Sequence, residues 1–165
     1  MNSKSRYLEY FGVASRWILG GLFIYTGWTK AMHPEIFLKV IRQYDITTNP
    51  LILNSIAAAL PWFEIYCGLL LLAGVAVRGA GLLVLLMLVP FTAAIFKRAL
   101  AVSNLQHIAL CAVRFDCGCG TGEVWICRKL AENLILMALT LLPLAGLGRL
   151  LSARFTLGAP KATGS

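Results

Sequence analysis

Polar and apolar positions along this chain separate into blocks. Four stretches stay mainly apolar over the roughly 20 residues that a helix rising 1.5 Å per residue needs to cross a bilayer. The first covers about residues 11–32 and is stopped by "HPE", where Pro34 cannot continue the helical hydrogen-bond ladder. The second is placed at about 55–77, inside an apolar stretch that begins at Leu51; Pro61 either kinks it or is the first residue of the true span. The third covers about 79–97. Little more than Arg78 and Gly79 separates it from the second, so the two are expected to form a tight antiparallel hairpin. The fourth covers about 124–150, and residues 151–165 read as a disordered tail. The fold predicted for residues 1–150 is all-α, an integral membrane four-helix bundle with a cysteine-bearing loop before the last helix.

The connections add detail. In "IFLKVIRQYDITTNP", Ile36, Phe37, Val40 and Ile41 alternate with Lys39 and Arg42, the pattern of a short helix lying at the membrane interface. The composition agrees with a lipid-embedded chain: 59% of the 165 residues are hydrophobic and 13% charged, far more apolar than one soluble core needs. The net charge of +8 is placed on residues that flank spans or face headgroups, and no aromatic-plus-basic stripe points to nucleic acid. The first apolar stretch contains Arg16 and is too long for the core of a secretory signal, so it reads as a retained span. Four spans put both termini on one side and the connections 33–53 and 97–124 on the other. Lys and Arg then divide seven with the termini and eight opposite, a balance that assigns neither side.

The chemistry concentrates in "HIALCAVRFDCGCGTGEVWICRKL". Cys117 and Cys119 sit one residue apart among glycines, with Cys111 before them and Cys127 after. Thr121 is placed as the cap of the fourth span, Glu123 in its first turn, and Cys127 about two turns inside. Arg114, Arg128, Lys129 and the helix N-terminus favour a thiolate, while Asp116 opposes one. A disulfide closed over one residue gains little loop entropy and is easily reduced, which suits transfer better than stapling. Of the three complete pairings of four cysteines, Cys117–Cys119 with Cys111–Cys127 gives an exposed pair and a second pair close enough to exchange with it. Cys67 reads as a small buried apolar residue. The same thiolates could instead hold a soft ion such as Cu(I), with Cys127 as third ligand; the spacing matches no zinc signature. His107, the one nearby histidine, reads as an interfacial polar residue. Disulfides persist on the oxidising face of a membrane, so the cysteine loop is placed outside and the termini inside.

Ionised groups within spans are costly unless paired. Lys30 and Arg16 sit near the two ends of the first span, where both can snorkel. Glu64 either pairs with Lys30 or accepts protons beside the cysteines, and Cys67, three residues on, shares its helix face. Tyr25, Trp28, Trp62 and Trp125 fall near span ends, where aromatic belts lie. Tyr25, Trp28 and Trp62, with Arg16, could also wall a quinone ring between helices.

These residues resemble a family. "RWILGGLFIYTGWTK" is similar to the opening of DoxX-like membrane proteins, and "ALPWFEIYCGLLLLAG" to their second span; with "CGCG" before the last span, the chain resembles their MauE-like branch over residues 12–142. It departs from that pattern at Gly120 and Thr121, which follow Cys119 where a phenylalanine is usual. The resemblance implies a multi-pass protein of the bacterial inner membrane, with a periplasmic cysteine loop. It also implies thiol-disulfide work with a thioredoxin-like periplasmic partner on a disulfide-containing client, as in methylamine utilisation, with a quinone as electron acceptor. The function expected is thus a membrane thiol-disulfide oxidoreductase. Cys117 and Cys119 exchange, Cys127 and Cys111 resolve or relay, and Glu64 and Lys30 support protonation. A soft-metal (Cu or Hg) binding or transport protein and a non-catalytic assembly factor are the alternatives.

Overall fold

The computed structural model describes residues 3–45, 47–118 and 122–148. Among the described residues it holds five α-helices, α1 (Ser3–Met32), α2 (Pro34–Gln43), α3 (Pro50–Ala73), α4 (Val77–Gln106) and α5 (Ile126–Leu144). A two-stranded hairpin, β1 (Arg114–Asp116) and β2 (Glu123–Trp125), stands between α4 and α5. Two of the helices, α3 and α4, are long and apolar enough to cross a membrane by length and composition.

The element boundaries differ from the sequence reading in instructive ways. α1 runs back to Ser3, and the chain re-enters a helix at once after Met32, because Pro34 stands at the start of α2, where no N–H is required. α3 starts at Pro50, five residues before the expected span, with the Asn49 side chain accepting from the Leu51 N–H at 2.9 Å. Pro61 is therefore interior to α3 and does not begin it. The turn between α3 and α4 lies at residues 74–76, ahead of Arg78 and Gly79, since Gly74 takes the left-handed conformation (φ 70°) that closes a helix. α4 continues to Gln106 through residues assigned to a loop. Glu123 lies in β2, outside the last helix, so Cys127 sits in the first turn of α5 and not two turns in. The expected cap Thr121 and the tail 151–165 lie outside the described residues.

α1 packs along α3 and α5, and α4 packs along the same two helices. The α1–α3 contact is a backbone approach. A Cβ on Gly20 would lie 2.8 Å from the Gly68 carbonyl oxygen, and one on Gly68 would lie 2.7 Å from the Gly20 oxygen, so only glycine fits at either place. Leu19, Phe23, Cys67, Leu71, Ala80, Val84 and Leu88 form the apolar centre between α1, α3 and α4.

Arg16 does not snorkel. It is fully buried, its Nε donates to the Leu71 carbonyl at 3.0 Å, and its guanidinium also donates to the Gly148 carbonyl. These are carbonyls at and beyond helix C-termini, which a fixed cation satisfies where the helix itself cannot.

At the opposite end α1 stops early while α3 and α4 continue, and α2 and the hairpin fill the space. Phe37 and Ile41 of α2 pack on Leu53 and Ala57 of α3. Val40 and Tyr44 join Ile95, Ala99, Val113, Cys117 and Ile126 in a separate cluster. The helix read as lying at the interface is thus present, with its apolar face turned onto protein.

Candidate functional site

The hairpin is held at its base and along its length. Cys111 and Cys127 are joined by a disulfide, and the Ile126 N–H donates to the Val113 carbonyl at 3.2 Å just above it. Phe115 faces Val124 across the ladder, and the Arg114 guanidinium lies 4.5 Å from the centre of the Trp125 ring. Trp125, read as a belt residue, therefore also clamps the hairpin. Alternation over three residues per strand is too short a signal to find from sequence beside such long apolar runs.

Beyond β1 the chain turns at Cys117 and Gly118. The Gly118 N–H donates to Asp116 Oδ1 at 2.8 Å, and Gly118 takes φ 73°. A Cβ there would meet Val40 Cγ1 at 3.0 Å, so the turn lies directly on α2. Cys119, Gly120 and Thr121 lie outside the described residues.

Cys117 was expected at an exposed loop end and is instead wholly buried. The cause is α2, which folds back over the loop. Val40 and Tyr44 cover Cys117, and the Tyr44 hydroxyl donates to the Cys117 carbonyl at 3.0 Å. Tyr44 had no signature in the sequence, because its partner is 73 residues away. The Cys111–Cys127 bond is one half of the pairing favoured above, and it engages Cys127, the third sulfur a soft metal would have used. Among the described residues, no three His, Cys, Asp or Glu side chains converge to hold a metal ion.

Beneath the hairpin, Lys30 Nζ lies 2.5 Å from Glu64 Oε1. Both side chains are at least nine-tenths buried, and the ammonium also lies 5.2 Å and 5.5 Å from the ring centres of Phe37 and Phe91. Glu64 Oε2 has no hydrogen-bond partner among the described residues. Because α3 begins at Pro50, Glu64 sits about 20 Å along its helix, at 1.5 Å per residue, far deeper than a span starting at Pro61 would place it. Cys67 shares the buried side of α3, in the apolar centre.

Two cavities meet at Lys30. The outer one, about 330 Å³, lies between the ends of α1 and α2 and the hairpin, and is lined by Thr29, Lys30, His33, Phe37, Asp116 and Gly118 among others. The inner one, about 450 Å³, lies between α1, α3, α4 and α5, with Lys30, Glu64 and Asn133 at its polar end. Asn133, buried on α5, donates to Thr92 of α4 at 3.0 Å. Tyr25, Trp28 and Trp62 are more than half exposed and are not among the residues lining either cavity, while Arg16 is engaged with the Leu71 and Gly148 carbonyls. The residues suggested as walls of a quinone site therefore line neither of these two cavities. His107 is the exposed cap at the end of α4.

A comparison with curated proteins and one with solved structures find no match. The family comparison is positive, and it spans the whole arrangement: the first long helix with Lys30, the Glu64 helix, the cysteine hairpin and the closing helix. The model of the family "Methylamine utilisation protein MauE" matches residues 8–146, and the chain, a helical membrane protein with a disulfide beside its hairpin, belongs to that family.

Proposed function

We propose that the protein is a four-span helical bundle of the bacterial inner membrane that exchanges disulfides with a thioredoxin-like periplasmic partner during maturation of a disulfide-containing client. Four long helices packed in antiparallel succession, with apolar side chains such as Trp17, Leu22, Leu69, Leu86 and Leu134 on their outer faces, support the four-span reading. The Cys111–Cys127 disulfide supports an oxidising compartment on the hairpin side, and hence termini in the cytoplasm.

The observation that carries the proposal is this disulfide, formed at the base of the same hairpin that bears Cys117 and Cys119. Two cysteine pairs on one short segment allow a disulfide to pass from one pair to the other by exchange. In each exchange a partner thiolate attacks one sulfur, the second sulfur leaves as a thiolate, and a mixed disulfide forms. The partner's second thiolate then attacks its own sulfur in that bond and releases this chain as a dithiol. The partner leaves oxidised, this chain has gained the two electrons, and the reverse sequence returns them. The outer cavity gives the partner's segment a place to lie against Asp116 and Gly118. Exchange at Cys117 requires α2 to lift, since Val40 and Tyr44 cover that residue.

Trapping tests the proposal. Cys119→Ser and Cys117→Ser proteins, expressed in membranes with an oxidised thioredoxin-like partner that keeps both cysteines, should accumulate a reducible mixed disulfide of the two chains, because the remaining thiolate attacks the partner's disulfide and this chain lacks the second thiol that would resolve the bond. No such species in either variant would sink the reading. Stoichiometric Cu(I) binding without thiol turnover would select the metal alternative, and full client maturation by a cysteine-free chain would select the assembly factor.

A further inference from the structure

The inner cavity has a polar end and an apolar body. Thr26, Lys30, Glu64 and Asn133 stand at the hairpin end, while Phe23 and Leu136 wall the part nearer the middle of the helices. Its rim on α1 and α5 is made by Leu22 and Ile135, which are 41% and 59% exposed on the outer apolar surface, so the cavity opens sideways to whatever surrounds the helices. In the four-span reading, on which this inference rests, that surrounding is lipid.

The polar end carries an unmet demand. Glu64 is 8% exposed and lines the cavity, Lys30 satisfies one of its oxygens, and Oε2 has no donor among the described residues. A buried carboxylate oxygen without a donor is costly, and a ligand hydroxyl removes that cost. Lys30 beside it has N–H groups to offer a ligand carbonyl. Phe23 and Phe91 add aromatic wall, which suits a flat ring better than an acyl chain. The volume, about 450 Å³, lies in the range of small-molecule sites.

We propose that this cavity binds a membrane-dissolved quinone or its hydroquinone, the ring lying between Glu64, Lys30 and Asn133 and the apolar tail leaving between α1 and α5. The hydroquinone O–H donates to Glu64 Oε2, and in the oxidised form a ring carbonyl accepts from Lys30. The group would supply two-electron redox capacity when bound. The residues of this chain bind it, orient its ring and hold the hydrogen bond at Oε2.

Photolabelling of the full chain in lipid nanodiscs tests this without any turnover. The probe is a benzoquinone carrying an aryl azide and a decyl tail, and the cross-linked peptides are mapped by mass spectrometry. Saturable labelling is expected on α1 around Leu22–Lys30 and on α5 around Asn133–Leu139. A decyl-tailed hydroquinone should displace the probe, and its dimethyl ether, which has no O–H, should do so roughly tenfold less well for the loss of one hydrogen bond to a charged acceptor. Leu136→Trp, which fills the cavity, should abolish labelling. Labelling scattered over the outer faces, or equal competition by the dimethyl ether or by decanol, would overturn the inference. Those two ligand arms need no variant, so they hold even where Leu136→Trp fails to fold. Loss of cavity labelling with mixed-disulfide trapping intact refutes this inference alone, and the opposite result refutes the exchange reading alone.

Discussion

The Lys30–Glu64 pair is the sharpest test of the packing at the inner site. Removing one member of a buried ion pair costs about 3–5 kcal/mol, because the survivor keeps its desolvation and loses its partner. The two members here are not equivalent. Glu64→Leu leaves the ammonium still facing Phe37 at 5.2 Å and Phe91 at 5.5 Å, each worth about 0.5–2 kcal/mol when desolvated. Lys30→Met leaves a carboxylate with both oxygens unpartnered among the described residues, since Oε2 has no donor there already. The expected destabilisations are therefore about 4 kcal/mol for Lys30→Met and about 3 for Glu64→Leu. The double variant strands no charge and should cost less than either single change, about 1–2 kcal/mol, a coupling of about 5–6 kcal/mol across the cycle. Equilibrium unfolding in mixed micelles, followed by tryptophan fluorescence, measures all four proteins. Costs that add to within about 0.5 kcal/mol, or a Glu64→Leu protein less stable than Lys30→Met, would refute the geometry.

Other outcomes follow from single contacts. Gly68→Val should separate α1 from α3 and cost about 3 kcal/mol in the same unfolding assay, whereas Gly21→Ala, with nothing within 4 Å of its Cβ, should be neutral or stabilising by up to about 1 kcal/mol. Arg16→Leu strands the Leu71 and Gly148 carbonyls and should cost about 2–3 kcal/mol, with Arg16→Lys recovering only part, because one ammonium cannot reproduce the two-sided fork. Reduction, or Cys111→Ser, opens a 16-residue separation and should lower stability by about 3 kcal/mol, an effect of dithiothreitol that the Cys111→Ser protein should no longer show. In the reduced chain a maleimide should modify Cys117 more slowly than in the SDS-unfolded chain, and Val40→Ala should narrow that gap; equal rates would show that α2 does not cover the thiol.

The long helices were legible because composition alone reports them: a run of about 20 apolar residues needs no partner to be recognised. Their ends were not. Gly74 closes α3 through a left-handed φ that any of the glycines nearby could have adopted, and Asn49 caps α3 with a bond visible only once the helix starts there. The hairpin was hidden for a related reason. Arg114–Asp116 and Glu123–Trp125 are too short to show alternation, and what holds them is a disulfide, a ring contact and a ladder between residues far apart in sequence. Glu64 stood out because a carboxylate in an apolar run always does. Its depth did not, since that depended on whether α3 began at Pro50 or Pro61.

Aromatic side chains carry an ambiguous signal. Tyr25, Trp28 and Trp62 lie near the ends of the apolar stretches, where a belt and a ring-binding site have the same signature, and all three are more than half exposed. The rings that do line the inner cavity, Phe23 and Phe91, stand in the middle of apolar runs and look like ordinary core. Among the described residues, Lys30 is the only charged side chain common to both cavities, so the two candidate sites can be separated by substitution. Asp116→Asn touches the outer cavity alone and should weaken mixed-disulfide trapping while leaving probe labelling unchanged. Leu136→Trp should do the reverse, and Lys30→Met should disturb both. If Asp116→Asn also abolished labelling, the hairpin and the inner cavity would be one site, and the bond from Asp116 Oδ1 to the Gly118 N–H would be holding the roof of that site in place.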